Sequence, residues 1–198
     1  GSGWQKGRLI TFPALNSTNS WALAHLDQLQ PGDLVRAIRQ TAGRGRHNRV
    51  WLAPDNHAFT GSLILDPTQA PVAAPLLGQV AALGVVYALA EFSVEAGVKW
   101  PNDVLVKDRK IAGILLEAGD RPDRLVVGIG LNVNLTPADL PPDQLRRPAT
   151  SIRIETARLT PLDAVVAALI RGWDRANSVA ASPEALRLAW TDRDLLRN

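Results

Sequence analysis

The sequence predicts an α+β fold. Its strand-like and helical stretches follow one another in mixed order, not as a regular strand–helix–strand series. The 198 residues are 46% hydrophobic and 21% charged, and a chain of that size buries roughly 70% of the surface it exposes when unfolded. No repeat, low-complexity tract or interior boundary divides it, so residues 1–198 read as one domain. The chain has no Met, and Gly1-Ser2-Gly3 reads as a processed start or a cloning remnant.

Each element has its own signal. Residues 8–12 form a short strand-like run ending at Pro13. Cap formers over 16–20 precede Trp21, Leu23, Ala24, Leu26 and Leu29, whose spacing predicts a helix stopped by Pro31-Gly32. Residues 34–40 alternate apolar and basic, as a half-buried strand does. Residues 41–57 have no period and form a long loop. Residues 59–65 are a strand closed by Asp66-Pro67. Residues 71–96 predict one long apolar helix, with Pro71 and Pro75 in its first turns and Gly97 past its end. Its stretch 73–90 approaches membrane-span length, but it contains Gln79 and Gly84 and lacks flanking anchors, so it reads as a core helix. Residues 98–100 are extended and broken by Pro101. Residues 104–106 and 110–117 are strands joined by the turn Lys107-Asp108-Arg109. Residues 125–133 are a strand whose Gly128 and Gly130 signal a close approach of something to the backbone. A Pro-rich loop over 137–148 precedes two terminal helices, at about 161–179 and 183–196.

Composition narrows the chemistry. With no Cys, disulfides, Cys-ligated zinc, iron–sulfur clusters and thiol nucleophiles are excluded together. The three His residues (His25, His47, His57) lack metal-ligand spacing. Net charge is +3, and Arg36, Arg39, Arg44, Arg46 and Arg49 fall in one stretch. That cluster reads as solubility, as a nucleic-acid contact, or as a site for an anionic ligand.

Three motifs carry chemistry. In residues 43–49, glycines admit a ligand close to the backbone, and alternating Arg side chains offer forked donors to carboxylate or phosphate. A solvated basic loop or an arginine hook for nucleic acid are the other readings. The segment is neither a Walker A loop nor a dinucleotide fingerprint. Lys99-Trp100-Pro101-Asn102-Asp103 gathers a cation, an amide and a carboxylate around a fixed turn; a plain surface turn is the alternative. Lys110-Ile111-Ala112-Gly113 brings a Lys into a strand beside small residues, suited to a ligand or to protecting a sheet edge.

Taken together with Ser17-Thr18-Asn19, Gln40-Thr41-Ala42, Ile114-Leu115-Leu116-Glu117 and residues 128–134, these motifs resemble the ordered series of biotin protein ligases over about two-thirds of the chain. The resemblance implies a mixed, largely antiparallel sheet with helices on one side, similar to class II aminoacyl-tRNA synthetases. It implies activation of biotin by ATP to biotinyl-5′-AMP, then transfer to a lysine of a carboxylase's biotin carboxyl carrier domain. ATP and biotin would be substrates, with Mg2+ expected on the phosphates. Ser17, Thr18, Asn19, Gln40, Arg44, Gly45, Arg46, Lys110 and Gly113 would surround biotin. Arg44, Arg46, Arg49, Trp51, Lys99, Asn102, Lys110 and Asn132 would meet ATP or the adenylate. Lys110, Arg46 and Asp103 are the catalytic candidates. The chemistry needs these types, because two anions must meet and charge builds on the α-phosphate as pyrophosphate leaves.

The chain departs from the family pattern in three ways. Where the basic loop usually continues Arg-Gly-Arg, it reads His47-Asn48-Arg49. It carries no N-terminal helix-turn-helix region, so no DNA partner is expected. It stops about where a C-terminal β-barrel would begin. A homodimer is compatible with the sequence, and the expected location is the cytoplasm. The rival readings are a lipoate-type ligase of the same fold and a nucleic-acid-binding module built on the Arg cluster. The latter lacks interleaved aromatics beyond Trp51.

Overall fold

In the computed structural model, residues 7–46, 49–51, 56–140 and 147–194 are described. Seven strands are β1 (Leu9–Leu15), β2 (Leu34–Gln40), β3 (Ala58–Leu65), β4 (Gly97–Lys99), β5 (Asp103–Val106), β6 (Arg109–Ala118) and β7 (Leu125–Asn132). Among the described residues, five α-helices are α1 (Thr18–Ala24), α2 (Leu77–Ala90), α3 (Ile152–Thr156), α4 (Leu162–Ala180) and α5 (Pro183–Thr191). The strands form one sheet in the order β1-β2-β3-β7-β6-β5-β4. Only β1–β2 is parallel, with α1 in the crossover between them. The other five pairs are antiparallel.

The period-2 alternation of β3 and β7 sorts side chains to two faces. Leu63, Leu65, Val127, Ile129 and Leu131 join the main core with α2 and α4, and Leu186 and Trp190 of α5 pack at its margin. Ile64 and Val126 point the other way, with Val35, onto Ala22, Leu26 and Leu29 in a smaller core around α1. The α2, α4 and α5 helices thus lie on one face as the resemblance implies, and α1 lies on the opposite one. Further along that α1 face the strands carry Thr60, Ser62, Gly128 and Gly130, paired Thr60↔Gly130 and Ser62↔Gly128. Small and polar residues there leave room beside a sheet that is otherwise covered.

Several boundaries differ from the sequence expectation. β1 runs through Pro13 to Leu15. It is an edge strand, where the missing N–H of proline is tolerated. α1 stops at Ala24, because the chain tightens into turns, with His25 N–H donating to the Ala22 carbonyl and Gln28 N–H to that of His25. The long apolar helix is shorter at both ends than 71–96. Pro75 lies in a 3-10 turn, Ala74–Leu76, before α2. Ser93, at φ 60°, falls in the turn that follows it. α2 is buried on nearly all sides between the sheet and α4, which explains its almost uniform apolarity. α3 carried no sequence signal of its own. The turn at Lys107 and Asp108 is a tight hairpin with φ 48° and 65°. Residues 1–3, 141–146 of the Pro-rich loop and 195–196 of the last expected helix lie outside the described residues. No described helix is long and apolar enough to cross a membrane.

Candidate active site

A cavity of about 440 Å³ opens on the α1 face, above the strand segments that carry Gly113, Gly128 and Gly130. Gly113 and Gly130 are cross-strand partners, so two missing side chains adjoin. The Trp51 ring lies over them: a Cβ on Gly130 would sit 2.4 Å from Trp51 Cε2. Among the described residues the buried Trp51 indole N–H has no hydrogen-bond partner, and Trp51 lines the cavity.

The long basic loop folds back on itself at one rim. Gly45 N–H donates to the Arg49 carbonyl, and Trp51 N–H to that of Gly43, both at 2.8 Å. Gly43 is required there, since a Cβ would meet the Trp51 carbonyl oxygen at 2.4 Å. This short ladder brings Arg44, Arg46, Arg49 and Trp51 to the cavity together. Arg44 is anchored by Glu117 at 2.8 Å and by Ser20 Oγ at 3.2 Å. His47 and Asn48, the departure from the family pattern, lie outside the described residues.

The polar end of the cavity is set by the start of α1. Ser17 caps the helix, its Oγ accepting from Ser20 N–H, which leaves its own hydroxyl hydrogen to give. Gln40 Oε1 accepts from Thr18 N–H at 2.7 Å, so its amide NH2 is the end left to donate. Asn19 donates from Nδ2 to the Leu115 carbonyl and to Glu117 Oε2.

The opposite end belongs to β4, β5 and the start of β6. Lys110 Nζ lies 2.7 Å from Asp103 Oδ1 and 5.5 Å from the Trp51 ring centre. Asn102 is locked to β6 by its Nδ2 donating to the Ile114 carbonyl and its own carbonyl accepting from Ile114 N–H, both at 2.9 Å. Lys99 reaches the cavity as the Cα partner of Asp103. The lining carries six cations (Arg44, Arg46, Arg49, Lys99, Lys110, Arg147) against the carboxylate of Asp103. A space with that balance receives anions.

Residues 11–134 match the model of the biotin/lipoate A/B protein ligase family. The chain belongs to that family. A bifunctional ligase/repressor BirA of Bacillus subtilis is 40% identical over 149 residues, covering 73% of this chain and 46% of that protein. A biotin–[acetyl-CoA-carboxylase] ligase of Paracoccus denitrificans is 42% identical over 127 residues, covering 62% of this chain and 52% of that protein. The chain thus spans about half the length of these curated relatives. Biotin protein ligase from Aquifex aeolicus, solved in complex with biotin and ATP, superposes with a TM-score of 0.75 at 29% identity, covering 86% of this chain and 70% of that one.

In this member of the biotin/lipoate ligase family, the cavity brings together Ser17, Thr18, Asn19, Gln40, Arg44, Gly45, Arg46, Arg49, Trp51, Lys99, Asn102, Asp103, Lys110 and Gly113. Asn132 is not part of the lining. It is buried, and its Nδ2 donates to the Thr150 carbonyl at 2.9 Å, fixing the segment before α3. Sequence reasoning missed Arg147. It arrives because the following residues pair alongside β6: Lys110 N–H donates to the Pro148 carbonyl, and Thr150 N–H to that of Lys110. The Arg146-Arg147 pair inside a Pro-rich loop was the available signal. Ser62 and Glu117 were also missed as contributors; Glu117 stood in the motif series with no role attached.

Proposed function

We propose that this chain joins biotin to ATP, forming biotinyl-5′-AMP and pyrophosphate, and then passes biotin to a lysine of a biotin carboxyl carrier domain. The observation that carries the reading is the cavity itself. One continuous space holds neutral hydrogen-bonding groups around the start of α1, a glycine floor, Lys99 and Lys110 at the opposite end, and Arg44, Arg46 and Arg49 along its rim. A ligand with a compact polar head, an apolar chain and a terminal carboxylate fits that sequence of environments, with a triphosphate beside the carboxylate. The Arg cluster, which alone also suited nucleic acid, turns three of its members into this cavity. In this reading the chain acts as one catalytic domain, in the cytoplasm, with the carrier domain as its macromolecular partner.

In the first step a biotin carboxylate oxygen attacks the α-phosphorus, and the bond from that phosphorus to the pyrophosphate oxygen breaks. Lys110 and the loop arginines offset the repulsion between the two anions and the charge growing on the α-phosphate. Before substrate arrives Lys110 is satisfied by Asp103, so an entering anion competes with that carboxylate for the ammonium. In the second step the carrier amine attacks the acyl carbon and AMP leaves. Asp103, released from Lys110, orients the amine or takes its proton. Magnesium would enter bound to ATP. Among the described residues no three acidic or His side chains cluster, so the phosphates would supply most of its ligands, with Asp103 the acidic group nearest to hand.

The test is pyrophosphate release with biotin, with lipoate and with neither, followed by mass measurement of an added carrier domain. Biotin-dependent release and a biotinylated carrier are expected. Release with lipoate alone moves the chain to the lipoate branch of its family, and release with neither acid rejects the activity.

A further inference from the structure

Beyond Asn132 the place of β7 beside β6 is taken by a different stretch of chain. Lys110 pairs with Ala149 in a parallel bridge, its N–H donating to the Pro148 carbonyl at 2.8 Å and its carbonyl accepting from Thr150 N–H at 2.9 Å. Asn132 fixes this change of partner, since its Nδ2 holds the Thr150 carbonyl. A bulge decides which way Lys110 faces. The β5–β6 register slips so that Leu105 lies opposite Lys110 and Val104 opposite Ala112, which leaves Ile111 as the extra residue. Ile111 and Ala112 both join the main core. Lys110 turns to the cavity, where a Cβ on Gly113 would meet its Nζ at 3.2 Å. Ala149, paired with Lys110, shares its face, and alternation gives Arg147, two residues earlier, the same face. Arg147 accordingly lines the cavity. Because the bridge is parallel, Arg147 lies beyond Lys110 as seen from the glycine floor, by about 6–7 Å for two extended residues.

The order along β6 is then Gly113, Lys110, Arg147. The ligands of the proposed reaction fall in the same order: acyl chain, carboxylate with α-phosphate, pyrophosphate. We infer that Arg147 binds the β- and γ-phosphates of ATP and is a catalytic residue for their departure as pyrophosphate. As the bond from the α-phosphorus to the bridging oxygen breaks, its electron pair passes to the pyrophosphate oxygen. The Arg147 guanidinium donates N–H groups to the charge that collects there. Two features fit it to that task. Its side chain has no hydrogen bond or ion pair among the described residues, whereas Glu117 and Ser20 hold Arg44 and Asp103 holds Lys110. It therefore meets an anion without first releasing a carboxylate. Its backbone is also registered to Lys110 itself, so the cation on the leaving group keeps its distance from the cation on the carboxylate. The inference rests on the biotin and ATP reading above and adds to it a cation for the departing pyrophosphate.

Arg147→Gln in the whole chain tests this. For biotin-dependent pyrophosphate release, kcat/KM for ATP should fall about tenfold or more, because a charge-assisted contact is lost. The reverse reaction reads the same group from the other side. Biotinyl-5′-AMP with inorganic pyrophosphate regains ATP, and KM for pyrophosphate should rise by a similar factor. Steps without pyrophosphate should not move: affinity for biotin alone, and consumption of preformed adenylate by carrier. Arg147→Lys keeps the charge without the fork and should recover only part of the loss. Calorimetry with inorganic pyrophosphate should show binding to the wild type that weakens about tenfold in Arg147→Gln. A loss in the transfer step equal to that in adenylation puts Arg147 on the adenylate and overturns the assignment, as does a wild-type KM for pyrophosphate in the variant. If the wild type releases no pyrophosphate with biotin, the activity beneath the inference is rejected. Calorimetry then still decides the site, since pyrophosphate bound equally by both chains overturns it by itself.

Discussion

Lys110 and Asp103 stand 2.7 Å apart, yet the two proposed half-reactions would ask different things of them. Lys110→Ala should depress biotin-dependent pyrophosphate release, tenfold for each ~1.4 kcal/mol of transition-state stabilisation lost. Asp103→Asn keeps the shape of the turn and should still form adenylate. It should slow consumption of that adenylate when carrier is added afterwards. Timing the two steps separately checks both: normal adenylate formation by Lys110→Ala, or wild-type consumption by Asp103→Asn, contradicts the role assigned. These residues were legible in the sequence because each stands in a short run where charge and small residues coincide. Glu117 was not legible as a contributor. Its partner Asn19 lies 98 positions away, and no local pattern announces that contact.

At the scale of elements, the crossing of α2 and α4 is drawn tight by two glycines. A Cβ on Gly172 would lie 2.2 Å from the Gly84 carbonyl oxygen, which is backbone and cannot swing away. Gly172→Ala should therefore destabilise by about 1–3 kcal/mol despite its better helix propensity. Gly78, in the same helix α2, has only Leu116 Cβ near its missing side chain, at 3.9 Å. Gly78→Ala should instead stabilise by up to about 1 kcal/mol. Urea denaturation of the two variants gives opposite shifts if the crossing is the cause. The start of the sheet has a pH-dependent tie. Burial pushes the Asp33 carboxyl up, but hydrogen bonds from the Arg8 side chain and from the backbone N–H groups of Gln30 and Arg8 outweigh it and hold the group below its ordinary value. A carboxyl lowered on folding stabilises fully above its unfolded pKa, about 3.9, and loses that contribution as pH falls through the folded value. Asp33→Asn should thus be less stable than wild type at pH 7, with the gap closing below about pH 4. A gap that is constant from pH 7 to pH 2.5 would contradict the linkage. Strand β2 could be read from its alternation, and β3, β6 and β7 from short apolar runs bounded by turn residues. The ends of α2 could not, because its apolar run continues into the turns on either side, and propensity does not say where a buried helix stops packing.

The molecule as a whole couples its site to its stability. Strands on both sides of β7, the first turn of α1 and the segment before α3 all contribute to the cavity wall or to its support. Ligands that bind only the folded chain should raise its melting temperature. If the proposed reaction holds, biotin with ATP should raise it more than the sum of each alone, because the adenylate would span the cavity; differential scanning fluorimetry with a non-hydrolysable ATP analogue as control separates binding from reaction. The position of the cavity was legible from motif order, but not its assembly, since β3 pairs with a strand 60 or more residues further on. That pairing has a consequence during synthesis. Until residues 125–132 leave the ribosome, β3 has a partner on one edge only, and all eight of its residues, buried in the finished fold, wait beside an open backbone edge. The nascent chain therefore passes through an interval in which it is most exposed to self-association and most dependent on chaperones, and it gains the floor of its site only when that interval closes.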